Sequence, residues 1–321
     1  MRRRVFSEHV DAARLRRPDV LRALAERRVQ LVTAVRPGGE DDIVALVADA
    51  RVAGVSIALW PMIADDDGRW ASTASAPRWC AYTDELFATL ARADALPDEL
   101  CIDLEPPIAL VRAWSAVRPR RAAVAGDRTQ AAVAFTATLE RAHGLGVPTW
   151  GAAVPLVLAD RPGFAMWQHM LGTPVDALPL TGVCVMLYSS LVGYTRGLLR
   201  RDHGEALVWL GAAAARRRWH ERAMVGLGAI GKGALGDEPV YADVDELVAD
   251  VALARAAGVD DLALFDLGGA LDRPPFERWL DAFVATAPAS GPPRLGKRVR
   301  ALTSIARGLA RLAAATFGTR R

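Results

Sequence analysis

Asp103 and Glu105, two carboxylates separated by one residue, are the side chains best suited to acid–base chemistry. They close the stretch DELCIDLE and are followed by Pro106 and Pro107. Because side chains alternate along a strand, both acids point to the same face, with Cα atoms about 6–7 Å apart. Neighbouring carboxyl groups drive each other's pKa values apart, as acid–base catalysis requires. A strand end capped by two solvated acids is the alternative interpretation.

The elements that must position this pair alternate regularly along the chain. Short apolar runs are followed by helical stretches, and such runs are typical of parallel strands buried on both faces. Eight repeats of this unit predict an α/β fold of the (β/α)8 TIM-barrel type, formed by residues 1–287. The predicted strands cover residues 3–9, 29–35, 55–60, 100–105, 148–155, 183–188, 223–228 and 261–266.

In a (β/α)8 barrel the functional residues lie at the carboxyl ends of the strands. Here these ends carry acids and aromatic rings and no basic cluster suited to a phosphate. Aromatic faces cover the apolar side of a sugar ring while acids bind its hydroxyl groups, so the pattern indicates a carbohydrate ligand. One carboxyl group could protonate a glycosidic oxygen and another could stabilise positive charge. The residues concerned are Glu8, Trp60, Asp103, Glu105, Trp150, Tyr188, Phe265 and Asp266.

The stretch 98–105 resembles the D-x-x-D-x-D-x-E signature of the fourth strand in glycoside hydrolase family eighteen, the chitinase-like enzymes. Three of the four acids are present. The sequences AAVP at 152–155, MLY at 186–188 and LALFD at 262–266 are similar, in the same order, to later strands of that family.

This resemblance implies substrate-assisted retaining hydrolysis of a β-linked N-acetylhexosamine glycan. Glu105 would be the general acid, Asp103 would orient the 2-acetamido group, and Tyr188 would hydrogen-bond to that group. Trp150 and Phe265 would form walls of the sugar site. Further substrate contacts are expected from Trp60, Met186, Asp266 and Glu8.

Three positions depart from the family pattern. Cys101 stands where the family has the middle acid, Ser189 replaces an acid after Tyr188, and Phe265 replaces a tryptophan. A barrel that binds a glycan without cleaving it is therefore the alternative function. The pair Glu8–His9 raises a third possibility, a metal-dependent sugar isomerase or lyase. No second histidine falls at a strand end, so we expect no metal site.

The glycine-rich segment 226–232, GLGAIGK, matches G-x-G-x-x-G followed by lysine. A dinucleotide fingerprint needs a helix directly after its glycines. Gly233, Gly236 and Pro239 continue the loop instead, which favours a loop over the barrel mouth, and we expect no cofactor. Trp70 and Trp79 fall in a long predicted loop, residues 61–80, and are candidates for stacking on sugar rings.

The net charge of +3 arises from the C-terminal segment. Residues 294–321 contain eight of the forty Lys and Arg residues and no acid, which leaves residues 1–293 with a formal charge of −5. Nucleic-acid binding by the barrel is therefore not expected. After a Pro/Gly linker that begins at residue 288, the segment 294–321 has the pattern of a basic amphipathic helix, suited to a membrane surface or a protein partner.

Three widely spaced cysteines give no disulfide framework. We find no signal-peptide pattern and no apolar run of about 18 residues. These observations favour a cytoplasmic protein.

Overall fold

The chain is described by a computed structural model. The residues it describes are 2–115, 124–161, 164–195, 197–293, 296, 297 and 299. The predicted amphipathic helix in 294–321 thus lies outside the described residues, apart from three positions. The division into a barrel over 1–287 and a linker with a tail stays a prediction. None of the described helices is long and apolar enough to cross a membrane.

Eight parallel strands form a closed barrel in which each strand pairs with its neighbours in sequence and β8 pairs with β1. The predicted (β/α)8 TIM-barrel fold is confirmed. Two strands have the bounds expected from the sequence, namely β2 and β7. The strands are β1 Arg3–Ser7, β2 Val29–Val35, β3 Ile57–Pro61, β4 Glu99–Leu104, β5 Thr149–Ala153, β6 Val183–Met186, β7 Ala223–Gly228 and β8 Leu262–Phe265.

Helices connect the strands, and their ends follow local sequence rules. Pro18 begins α2, where its missing N–H costs nothing, and Gly54 ends α3 in the left-handed conformation with φ of 74°. The helices are α1 Ala12–Leu15, α2 Pro18–Glu26, α3 Glu40–Ala53, α4 Ala76–Arg92, α5 Ile108–Ser115, α6 Arg128–Gly144, α7 Met166–Leu171, α8 Arg201–Trp219, α9 Val244–Ala256, α10 Leu267–Leu271 and α11 Glu277–Ala285.

The fourth helix begins earlier than the sequence predicted, at Ala76 instead of residue 82. The long loop therefore ends at residue 75. Trp79 belongs to α4, where its ring packs against Phe135 at 5.6 Å between centroids and its indole N–H donates to the Pro61 carbonyl at 3.0 Å. Trp79 is fully buried and is a core residue.

The barrel interior is layered. At the amino-terminal end, the buried Arg4 side chain pairs with Glu99 at 3.1 Å and with Asp261. Its guanidinium group lies over the Trp150 ring at 5.2 Å, which closes the charged layer from above. Cys101 and Cys184 are also fully buried in this part of the interior. An apolar layer thus separates the charged bottom of the barrel from its carboxyl-terminal mouth.

Candidate active site

Asp103 and Glu105 lie at the carboxyl end of β4 and line one cavity. Asp103 is the penultimate residue of the strand and only 2% exposed, whereas Glu105 directly follows the strand and is partly buried. The cavity has a volume of about 150 Å³. Two further acids, Glu8 and Glu238, also line it. We call it the acid cavity after these four carboxyl groups.

Burial controls the protonation of the central pair. The pKa of Asp103 is raised well above its usual range, first by removal of its carboxyl group from water and then by the nearby Glu105 and Glu8 carboxylates. Burial and then Glu8 raise the pKa of Glu105 to about 8. Asp103 Oδ1 is buried and has no hydrogen-bond partner among the described residues. The site therefore contains a carboxylic acid that stays protonated at neutral pH beside a second, buried carboxyl group.

Glu8 follows β1 and is held by basic side chains. Its Oε1 lies 2.7 Å from Arg69 Nη1, 3.5 Å from Arg36 Nη2 and 3.6 Å from His9 Nε2. Burial raises the pKa of Glu8, while the three basic neighbours oppose this effect. Glu8 is consequently a fixed side chain that influences the charge state of the β4 acids.

Arg69 fastens the loop that follows β3 over this part of the barrel. Besides Glu8, its guanidinium group binds Asp65 at 2.7 Å and lies 5.7 Å from the centre of the Trp70 ring. The adjacent Ala71 N–H donates to the Asp103 carbonyl at 2.9 Å. Arg69 adopts φ of 66°, which is uncommon for a residue other than glycine. These contacts fix Trp70 in the wall of the acid cavity.

Aromatic rings form the remaining wall. Tyr188 and Phe265 stack with centroids 5.4 Å apart and planes at 27°, and Phe6 meets Trp60 edge-on at 5.2 Å. Gly228 permits the first pair, because a β-carbon there would lie 2.9 Å from the Phe265 carbonyl oxygen and 3.2 Å from Tyr188 Cδ1. Apolar ring surface thus faces the acids across a small cavity, an arrangement that suits a sugar ring.

Most of the residues predicted from the sequence meet at this cavity, and two do not. Those that line it are Glu8, Trp60, Asp103, Glu105, Met186, Tyr188 and Phe265. Trp150 pairs in register with Cys101, one layer below the acids, and is 1% exposed. Asp266 caps α10, accepting a hydrogen bond from Gly269 N–H at 2.9 Å, and faces a neighbouring cavity.

Glu238 was not predicted. It lies in the loop after β7, where its carboxylate accepts hydrogen bonds from the N–H groups of Gly233 at 3.1 Å and Leu235 at 2.7 Å. The glycine-rich loop is therefore folded around an acid. An acid shortly after a glycine-rich segment was the available signal in the sequence.

Ser189 is held in a hydrogen-bond network outside the acid cavity. Its hydroxyl hydrogen-bonds to the buried Asp250 carboxylate, which also binds Arg201 at 2.6 Å and the Tyr241 hydroxyl at 2.7 Å. This network joins the end of β6 to α8 and α9. Ser189 therefore contributes to helix packing and does not line the acid cavity.

Among the described residues, no group of three or more His, Cys, Asp or Glu side chains has the geometry to hold a metal ion. In particular, Glu8 and His9 are not joined by a third ligand. The basic side chains around Glu8 supply the positive charge at this position.

Comparisons with known proteins support the fold at low sequence identity. The PgaB (BpsB) glycoside hydrolase domain from Bordetella bronchiseptica matches with a TM-score of 0.53 and 14% identity, covering 90% of this chain and all of that one. A GH113 β-1,4-mannanase has a TM-score of 0.51 and 13% identity, covering 88% and 97%. A class V chitinase from Nicotiana tobaccum has a TM-score of 0.51 and 10% identity, covering 88% and 98%.

No protein-family model and no curated protein sequence matches the chain. The chain is therefore a TIM barrel with distant structural similarity to glycoside hydrolases. At such identities the similarity defines the fold alone.

Proposed function

We propose that this protein is a glycoside hydrolase that cleaves a β-linked N-acetylhexosamine glycan by a substrate-assisted, retaining mechanism. The observation that carries the proposal is the pair at the end of β4, in which Glu105 has a pKa of about 8 beside the buried Asp103. A general acid must hold its proton at the working pH and present it to the leaving oxygen. Glu105, partly buried at the cavity wall, meets both requirements.

In the proposed reaction Glu105 protonates the glycosidic oxygen as the bond to the anomeric carbon breaks. The acetamido oxygen of the substrate attacks that carbon, so no enzyme nucleophile is required. The Asp103 carboxyl group accepts the acetamido N–H, and Tyr188 donates to the acetamido oxygen; both residues line the acid cavity. Glu105, now a carboxylate, then removes a proton from the water that opens the intermediate.

A non-catalytic glycan-binding barrel is the second candidate, and one observation favours it. Cys101 replaces an acid of the family pattern, and its buried thiol has a pKa raised well above the usual range. It cannot relay a charge to Asp103 at neutral pH. A barrel with this replacement would keep its aromatic wall and its affinity for sugars while losing turnover.

One experiment distinguishes the two candidate functions. Wild-type protein, Glu105→Gln and the control Glu140→Gln, an exposed glutamate on α6, would be assayed with a chromogenic β-N-acetylglucosaminide. Binding of an N-acetylglucosamine oligomer would be measured by calorimetry. Loss of about 10²–10⁴ in kcat for Glu105→Gln alone, with binding retained, supports hydrolysis. Wild-type protein that binds the oligomer and never turns over supports the binding function.

A further inference from the structure

A second cavity, of about 550 Å³, lies directly beside the acid cavity. Its walls are the connection after β5, residues 155–161, the end of β6, and α8. Met186 and Tyr188 line both cavities. These two side chains are therefore the wall that the cavities share, and a ligand that reaches from the acid cavity into the second cavity, which we call the apolar groove, must cross them.

The side chains that form the groove are mainly aliphatic. Three charged residues also line it, namely Asp160, Arg161 and Arg217. The Asp160 carboxylate is already engaged, because it accepts hydrogen bonds from Trp167 N–H at 2.7 Å and Gln168 N–H at 3.1 Å, and the two arginines are exposed to solvent. The wall of the groove is therefore mainly apolar surface suited to a hydrocarbon. Its aliphatic side chains include Leu156, Leu158, Leu187, Val192, Leu207 and Leu210.

Two glycines of α8, Gly204 and Gly211, line the same groove. They are seven residues apart and lie on one face of the helix. A β-carbon at Gly211 would lie 2.6 Å from Leu187 Cδ2, and one at Gly204 would lie 3.0 Å from the Ser189 carbonyl oxygen. Glycine inside a helix costs about 1 kcal/mol relative to alanine. The absence of a β-carbon at these two positions lets α8 pack close to the end of β6, with an apolar floor between them.

Several exposed apolar side chains belong to the two connections that border the groove. Of the seven large hydrophobic residues that are exposed in the described part of the chain, four lie in the connections after β5 and β6. They are Leu156, Met170, Tyr194 and Leu198, with exposed fractions of 44%, 45%, 42% and 66%. Of these four, Leu156 also lines the groove, so part of its apolar wall is open to solvent.

We infer that the substrate is amphiphilic: a glycoside whose sugar occupies the acid cavity and whose hydrocarbon chain lies in the apolar groove. The inference rests on the proposed function, because it takes the sugar position from the β4 acids. The shared residues Met186 and Tyr188 favour a single ligand spanning both cavities over two unrelated ligands. A purely hydrophilic oligosaccharide would leave Leu207 and Leu210 against water.

The test compares methyl, butyl and octyl β-N-acetylglucosaminide, each below its micelle-forming concentration. Affinities would be measured by titration calorimetry in full-length Glu105→Gln protein, so that no glycoside is cleaved. Burial of one methylene group strengthens binding about fourfold. The octyl glycoside is therefore expected to bind about 16-fold more tightly than the butyl glycoside if two of the four added methylenes are buried.

Leu207→Gln and Leu210→Gln, made separately in the same background, place a polar group in the groove without lowering helix propensity much. Each is expected to reduce the octyl-to-butyl affinity ratio several-fold. Leu145→Gln, at an exposed leucine after α6, is the matched control and should keep the ratio. Circular dichroism and thermal unfolding show whether each variant is folded. If one groove variant does not fold, the octyl-to-butyl affinity ratio of the other groove variant is used for the test.

The inference is overturned if octyl and butyl glycosides bind equally in the parent protein, whether the groove is closed by another part of the chain or is simply unused. It is also overturned if the chain-length dependence is the same in the groove variants and the control. Turnover of the chromogenic substrate by wild-type protein reports separately on the proposed function. Turnover without chain-length dependence refutes the amphiphile while leaving the hydrolase intact.

Discussion

Replacing Glu105 by glutamine should stabilise the protein at alkaline pH and change its stability little near pH 5. Burial, and then the Glu8 carboxylate, raise the pKa of Glu105 from 4.5 to about 8 in the folded state. The folded state thus binds this proton more tightly than the unfolded state does. The resulting stabilisation is fully present below pH 4.5 and is lost as pH rises towards 8. Because glutamine does not ionise, the Glu105→Gln variant does not lose this stability as pH rises.

The magnitude follows from the difference between the two pKa values. One pKa unit corresponds to about 1.4 kcal/mol, so the full difference corresponds to about 5 kcal/mol. Asp103 shares the titration, which reduces the gain expected for Glu105→Gln above pH 8 to about 2–5 kcal/mol. The entropy of unfolding for a chain of 321 residues is about 0.7 kcal/mol/K. The melting temperature should therefore rise by about 3–7 °C.

Differential scanning calorimetry of wild type, Glu105→Gln and Glu140→Gln between pH 5 and pH 9 checks this expectation. A constant offset at every pH reports only the exchange of a hydroxyl for an amide. The informative quantity is the change in the melting-temperature difference with pH. If that difference is the same at pH 5 and pH 9, Glu105 is not a carboxyl group of raised pKa, and its assignment as the general acid is wrong.

Three further outcomes are expected. Glu8→Gln should move the alkaline limb of the kcat/KM profile to lower pH, because Glu8 raises the pKa of Glu105; an unmoved limb would contradict this electrostatic link. Arg69→Met leaves Glu8 without its 2.7 Å partner and should destabilise the protein by about 3–5 kcal/mol in urea unfolding, and a loss below about 1 kcal/mol would contradict it. Gly269→Ala should cost at least about 2 kcal/mol, because its β-carbon would lie 2.1 Å from a backbone nitrogen after β7; unchanged thermal unfolding would count against it.

The strands were predictable because of how a parallel barrel buries them. Both faces of each strand are covered, so Val29–Val35 and Ala223–Gly228 appear in the sequence as short apolar runs with recognisable ends. The acids of the site were predictable for the opposite reason. Asp103 and Glu105 are polar residues at the end of such a run, where only the mouth of the barrel can accommodate them.

Depth inside the barrel was not predictable from the same pattern. Trp150 lies near the start of Thr149–Ala153, and Ala152 is the residue of that strand that lines the cavity. The run of apolar residues does not mark which inward side chain reaches the mouth, because register depends on pairing with β4. Asp266 follows β8 as expected, but a local feature turns it away from the acid cavity. It caps a five-residue helix whose glycines gave no helical signal in the sequence.

Contacts between distant segments of the chain could also not be predicted from the sequence. Arg69 and Glu8 are 61 residues apart, and nothing in either neighbourhood predicts their ion pair. Glu238 reaches the acid cavity only because the loop after β7 folds around its carboxylate. Such residues are fixed by closure of the barrel, which brings loops after different strands to one rim.

The layer beneath the acids determines how their proton can move. Burial raises the pKa of both Cys101 and Cys184, so neither thiol gives up a proton at neutral pH. Arg4, which lies closer to the amino-terminal end of the barrel, forms ion pairs with Glu99 and Asp261 and lies against the Trp150 ring. Neither thiol can therefore supply a proton to Asp103 from within the barrel. In the proposed reaction Glu105 regains its proton from the water that opens the intermediate, and this water must enter through the mouth. Because Asp103 and Glu105 influence each other's pKa, the β4 pair titrates as a unit.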